Sequence, residues 1–129
     1  MGVYGRGNNC MAYALGRKNW MLPLGWRALK NKPIERIEEH MATMLGKTFN
    51  LKMVSREDMV LGKEYIAFRI AYDGYEDADD FHFMKRHVSG HWTHKMGSQP
   101  VKGISEKVVF SDMWKFGTIY NGRIYLFEV

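Results

Sequence analysis

The feature that most constrains this chain is a change of hydrophobic period near residue 49. Before it, apolar residues recur at helical spacing. After it, they fall in short β-forming runs separated by turn signals. The clearest helix runs from Ile34 to Leu45, with Pro33 suited to its first turn and Gly46 to its C-terminal cap. Ile34, Ile37, Met41, Met44 and Leu45 make one apolar stripe, and Glu35, Arg36, Glu38 and Glu39 lie outside it. His40 falls among those charged residues and reads as a surface histidine.

Upstream, residues 1–9 read as an irregular lead-in and residues 10–16 as a short helix that Gly16 ends. Residues 17–33 read as an extended loop punctuated by Pro23, Gly25 and Pro33. Trp20, Leu22, Leu24 and Trp26 are its anchors to the core. Ser55 caps a short helix that reaches Asp58 and Met59. Downstream, Phe49–Val54 alternates loosely and Glu64–Tyr72 is the expected central strand. Phe81–Arg86 and His91–Met96 form a predicted hairpin around Val88-Ser89-Gly90. Val108–Phe110, Thr118–Tyr120 and Arg123–Val129 follow as strands, the last two joined by a hairpin turn at Asn121-Gly122. Helices first and antiparallel strands after them make the chain α+β, in a single domain over residues 1–129.

One cysteine rules out an internal disulfide, so the fold must rest on its core. At 46% hydrophobic, the composition supplies one. The start of the chain lacks the apolar stretch of a signal peptide, no window reaches the length of a membrane span, and the sixth residue does not fit myristoylation. The expectation is a soluble protein of the cytoplasm. The net charge of +5 suits an anionic partner, although the basic residues are scattered rather than clustered. The ten methionines suit gap-filling in a core.

That lone cysteine, Cys10, sits between Asn8-Asn9 and the helix-competent run Met11-Ala12-Tyr13-Ala14. A thiol reacts as thiolate, and unpaired N–H groups at a helix start lower its pKa. A nearby histidine adds to that effect and protonates a leaving group. Four of the five histidines lie on the predicted hairpin. If Arg86 faces Trp92 across the turn, then His82, Arg86, Trp92 and His94 share one face. His82 and His94 are then within reach of a base–orienter hydrogen bond. Asp79 and Asp80 compete for the orienting role. His87 reads as exposed, and His91 faces away from His94.

These residues resemble a family. Asn8-Asn9-Cys10, Tyr13-Ala14, Pro23 with Gly25 and Ala28, Asp80-Phe81-His82-Phe83, Arg86, Gly90-His91-Trp92-Thr93-His94-Lys95, Gly97 and Pro100-Val101 carry the likeness. They are similar to a group of bacterial and phage proteins related to the papain-like NlpC and CHAP amidases. Met11 stands where that group has an aromatic, the Pro-Leu-Gly stretch is one residue longer, and a C-terminal cysteine of the group is missing. The resemblance implies a papain-like, NlpC-like domain with N-terminal helices packed on an antiparallel sheet. It implies Cys10 as nucleophile, His82 as base and His94 as orienting residue. Tyr4, Asn8 and Asn9 are candidates for the oxyanion donor, and Trp92, Arg86 and Trp26 for the substrate cleft. The implied reaction is cleavage of an amide or isopeptide bond in a peptide or protein, with a peptidoglycan peptide as one substrate and no cofactor. In a phage setting the place of action is the host cytoplasm or the virion.

Two other readings follow from the same residues. In one, the fold is a non-catalytic binder whose basic aromatic hairpin (Phe83, Lys85, Arg86, Trp92, Lys95) grips a protein or single-stranded nucleic acid. In the other, Cys10, His82 and His94 hold zinc, although no C-x-x-C or helical H-x-x-x-H spacing supports it.

Overall fold

The structure is a computed structural model that describes residues 9–19, 21–22, 34–72, 78–97 and 99–129. The expectations for Tyr4, Asn8, Trp20, Trp26, the Pro23–Pro33 loop and the side chains of Ile34, Glu35 and Asp79 lie outside the described residues.

Two helices precede the strands: α1 (Cys10–Ala14) and α2 (Ile34–Thr48). The strands are β1 (Lys52–Met53), β2 (Tyr65–Tyr72), β3 (Ala78–Arg86), β4 (Trp92–Lys95), β5 (Val101–Ile104), β6 (Trp114–Phe116), β7 (Thr118–Tyr120) and β8 (Tyr125–Glu128). A short helix α3 (Glu106–Val109) lies between β5 and β6. Six strands form one sheet in the order β1-β8-β2-β3-β4-β5, and β6 pairs with β7 apart from it. Every pairing is antiparallel. The protein is therefore mixed α and β around an antiparallel sheet, as the change of period predicts.

While the edge strands β1 and β5 are largely exposed, both faces of the sheet's central strands are buried. On one, Ile66, Phe68, Ile70, Phe81, Phe83 and Phe127 pack against Cys10, Met11 and Ala14 of α1 and Ile37, Met41, Met44 and Leu45 of α2. On the other, Tyr65, Ala67, Met84, Trp92 and Leu126 pack against Val109, Trp114 and Tyr120. A strand covered on both sides has no polar face to show, which is why β2 reads YIAFRIAY. Its one charged residue, Arg69, is buried, and each of its three guanidinium nitrogens donates to a backbone carbonyl. Nε donates to Gly122 O at 2.8 Å, Nη1 to Ser111 O at 2.7 Å and Nη2 to Asp112 O at 2.6 Å.

The structure corrects several of these expectations. Gly46 does not end α2, which runs to Thr48. Asn50 takes the left-handed conformation at φ 54, and Leu51 N–H closes on Leu45 O at 3.3 Å. Glu38 is not on the solvent side. It is buried, and its carboxylate accepts the Arg123 N–H at 2.9 Å. Residues 108–110 are not a strand, because Ser105 caps α3 through Val108 N and turns Val109 into the core. Asn121-Gly122 does not join a hairpin. β8 lies between β1 and β2, where it buries Leu126 and Phe127, and Gly122 N–H bonds to Ile70 O at 2.9 Å. Long-range pairing with an apolar sheet outweighs a local turn preference there. The predicted Phe49–Val54 strand shrinks to two residues, and β5 and β6 arise where none was expected.

Candidate active site

Cys10 is the first residue of α1, and Asn9 is its N-cap. Asn9 Oδ1 accepts from Ala12 N at 3.1 Å and from Met21 N at 3.2 Å, and Nδ2 donates to Met21 O at 2.6 Å. This clasp ties the chain after α1 back to its start. At the other end, Gly16 takes φ 70, Arg17 N–H bonds to Ala12 O at 2.8 Å and Gly16 N–H to Tyr13 O at 3.2 Å. That paired closure needs a residue without a Cβ at the left-handed position. Gly16 thus ends the helix as the sequence predicts. Tyr13 fastens α1 to β4, its hydroxyl 2.6 Å from Thr93 Oγ1.

The β3–β4 hairpin forms with Arg86 opposite Trp92 and Met84 opposite His94, the register the sequence argument requires. Gly90 makes the turn possible. Its φ is +95, and a Cβ there would lie 2.8 Å from the Leu61 side chain. His82 is then the diagonal neighbour of His94, and its Nε2 lies 2.9 Å from His94 Nδ1. Both rings are buried. The second hairpin, β6–β7, encloses them: Trp114, Phe116 and Tyr120 have ring centroids 6.0, 5.6 and 5.4 Å from that of His82.

Cys10 and His82 line one cleft of about 230 Å³, together with Asn9, Leu22, Asp80, Phe81, Met96, Gly97 and Tyr120. Cys10 comes from the helix-side core, and His82 points to the opposite face of the sheet. Among the described residues the hydrogen bonds at the sulfur are to main-chain groups, Phe81 O at 4.0 Å among them, rather than to the imidazole. Asp80 is placed apart from the histidine pair. Its Oδ1 accepts the Phe81 N–H at 2.8 Å, and its Oδ2 accepts the Tyr120 hydroxyl at 2.8 Å. Of the two orienting candidates whose side chains are described, His94 is the one bonded to His82.

Burial sets the protonation of the resting site. It pushes the Cys10 thiol up to about 12, with the charge of Asp80 adding to the rise. The backbone N–H groups of Met11 and Cys10 and a hydrogen bond with the Phe83 backbone pull the other way, and burial outweighs them. Burial also takes His82 down to about 3, with His94 adding to the fall. His94 is lowered by burial and then by Lys102, its partner across the β4–β5 ladder. The expected helix-start activation of the thiol is thus reversed in the resting molecule: α1 is only five residues long, and the sulfur is nearly dry. At rest the thiol and the imidazole that line this cleft are both neutral.

Other expectations also change. Trp92 is not in the cleft but in the core, edge-on to Phe110 at 5.8 Å. Arg86 reaches Val60 O at 3.2 Å and covers the Tyr65 ring. The binding face proposed for the hairpin is not presented to solvent. Phe83 and Trp92 are buried, Lys95 is buried with its ammonium on Gly97 O, and Lys85 pairs with Glu64 at 3.4 Å. His87 is half-buried rather than exposed, with Nε2 2.6 Å from Thr93 Oγ1 and its ring stacked on His91. His91 is exposed and lies away from the His82–His94 pair, as expected. The side chain of Asn9 is engaged as cap and clasp, and among the described residues the main-chain N–H groups of Cys10 and Met11 are donors close to the sulfur. Among the described residues no group of three or more His, Cys, Asp or Glu side chains is placed to hold a metal ion. No helix among them is long and apolar enough to cross a membrane.

Tyr120 and Met96 enter the cleft although neither reads as a site residue in the sequence, and Gly97, one of the residues that carry the resemblance, lines it with them. Tyr120 reads only as the end of an apolar strand, and its hydroxyl acquires meaning once β7 is laid beside Asp80. Comparison with family models, with curated proteins and with solved structures gives no match.

Proposed function

We propose that this chain is a papain-like cysteine hydrolase that cleaves an amide or isopeptide bond through a thioester on Cys10. One observation carries the reading: Cys10 and His82 line the same cleft, and His82 Nε2 is held 2.9 Å from His94 Nδ1. That bond occupies Nε2 and leaves Nδ1 of His82 for proton transfer. The order of the chain supports it too, with a cysteine-bearing helix before two adjacent antiparallel strands that carry the histidines.

The chemistry starts from neutral groups. Sγ attacks the carbonyl carbon as His82 Nδ1 takes the thiol proton, so thiolate forms only as it is consumed. The imidazolium then donates from Nε2 to His94 Nδ1, which steadies the new charge. The N–H groups of Cys10 and Met11 stabilise the oxyanion. Collapse breaks the C–N bond, and His82 returns its proton to the departing amine. Water attacks the thioester with His82 as base, the C–S bond breaks, and the thiol is reprotonated. Peptides with amide or isopeptide links, including peptidoglycan stem peptides, are the substrate class.

The test is acid-quenched mass spectrometry of the protein after mixing with peptidoglycan fragments and with a library of peptide amides and isopeptides. An acyl adduct on Cys10 and cleaved product are expected in wild type and absent in Cys10→Ala. His82→Ala lowers turnover by about a hundredfold or more. Cleavage that survives in Cys10→Ala, or no adduct and no product with any member of the set, sinks the proposal.

A further inference from the structure

We infer that Asp80, held by Tyr120 and Phe81, is a subsite for a cationic substrate group, so that the bond cleaved at Cys10 lies close to a primary amine. This rests on the hydrolase reading and names its substrate more narrowly. Asp80 is the one formally charged side chain among the described residues that line the cleft, the neutral His82 aside. Its two hydrogen bonds come from neutral donors, the Phe81 N–H and the Tyr120 hydroxyl. A carboxylate offers about four acceptor positions, so about half remain for a ligand. Lys95, the cation bonded to the cleft residue Gly97, is already engaged with that residue's carbonyl oxygen. The wall beside the nucleophile is therefore acidic in a chain whose net charge is +5.

The same geometry couples binding to reactivity. The charge of Asp80 is one of the effects that keep the proton on Cys10. An ammonium bound to Asp80 cancels that effect and puts a positive charge near the developing thiolate. Tyr120 sets the direction of the carboxylate and comes from the same hairpin that encloses the histidines. A substrate with the amine selects itself twice, by affinity and by making the sulfur easier to ionise. A substrate with a carboxylate at that place is repelled.

The probes are two small thiol reagents of opposite charge, aminoethyl methanethiosulfonate and sulfonatoethyl methanethiosulfonate. Each rate at Cys10 is followed by mass spectrometry and divided by the rate with a free cysteine peptide. In wild type the normalised ratio of cationic to anionic reagent is expected to be at least about tenfold, which a single carboxylate at contact distance supplies. The net charge of the whole molecule favours the opposite order, so this ratio reports the cleft. In Asp80→Asn, whose Oδ1 still accepts the Phe81 N–H while its Nδ2 turns a donor toward the Tyr120 hydroxyl oxygen, the ratio falls to near one. In wild type it also falls as salt is raised. A ratio near one in wild type, a ratio that Asp80→Asn and salt leave unchanged, or no reaction with either reagent overturns the proposal. The hydrolase reading fails separately: if His82→Ala leaves both rates as they were while the ratio persists, the cation subsite stands and the catalytic pair does not.

Discussion

At the scale of single residues, the site is governed by desolvation more than by charge. Cys10 is 6% exposed, and burial takes its thiol to about 12 while taking His82 to about 3. A thiol in that state does not alkylate like a surface cysteine. With iodoacetamide, the logarithm of the Cys10 rate is expected to climb with a slope near one from neutrality to beyond pH about 10, where an ordinary thiol levels off above about 8.5. Mass-spectrometric alkylation rates across that range check it. A plateau below pH about 8 would establish a standing thiolate–imidazolium pair in place of the neutral one. The histidine pair itself was legible in the sequence, because a strand's period of two and one turn residue fix which side chains meet. The protonation was not legible. A local rule, the helix start, gives a sign that depends on how long the helix is and how much water the sulfur keeps.

At the scale of elements, the short helix that carries Cys10 is held from outside. Five residues cannot sustain a helix by their own hydrogen bonds, so the Asn9 clasp, the Gly16 closure and the Tyr13–Thr93 contact supply what length does not. Asn9→Ala removes the cap and both bonds to Met21, and a loss of about 1–2 kcal/mol of stability is expected, read from urea unfolding midpoints. A loss under about 0.3 kcal/mol would show that packing alone holds α1. The cap, the closure and the β3–β4 turn could be read from short-range chemistry. The β6–β7 hairpin and the docking of residues 121–122 could not, because they depend on Arg69. That residue sits in the middle of β2, yet its guanidinium binds the carbonyls of Ser111, Asp112 and Gly122 and lies over Trp114. Periodicity marks such an arginine only as a break in an apolar run. Arg69→Met orphans three carbonyls and is expected to cost about 3 kcal/mol, visible as an earlier thermal transition. Because the same hairpin encloses the histidines, the His82–His94 bond should weaken with it. Imidazole proton resonances that keep their wild-type shifts in Arg69→Met would separate the clamp from the site.

At the scale of the whole molecule, the buried neutral groups make stability depend on pH in a fixed direction on each side. His82 binds its proton at about 3 when folded and at 6.5 when unfolded. Between those values the unfolded chain holds the extra proton, so stability falls as pH drops from about 6.5, at up to about 1.4 kcal/mol per pH unit. His94 and His87 are lowered as well and act on the same side. Cys10 works on the alkaline side. Its folded value is about 12 against 9.0 unfolded, so the unfolded chain loses its proton first and stability falls as pH rises beyond 9.0. Tyr125, raised by burial, adds to that limb above 10.0. The expected profile is a plateau between about 6.5 and 9 with a decline on each side. Urea midpoints measured at pH values across both limbs give it directly. Cys10→Ala should flatten the alkaline limb and leave the acid one, and His82→Asn should shallow the acid limb and leave the alkaline one. Loss of one limb in both variants would mean that the titrating group is shared, as in an ion pair, and that the resting thiol and imidazole are not separately neutral.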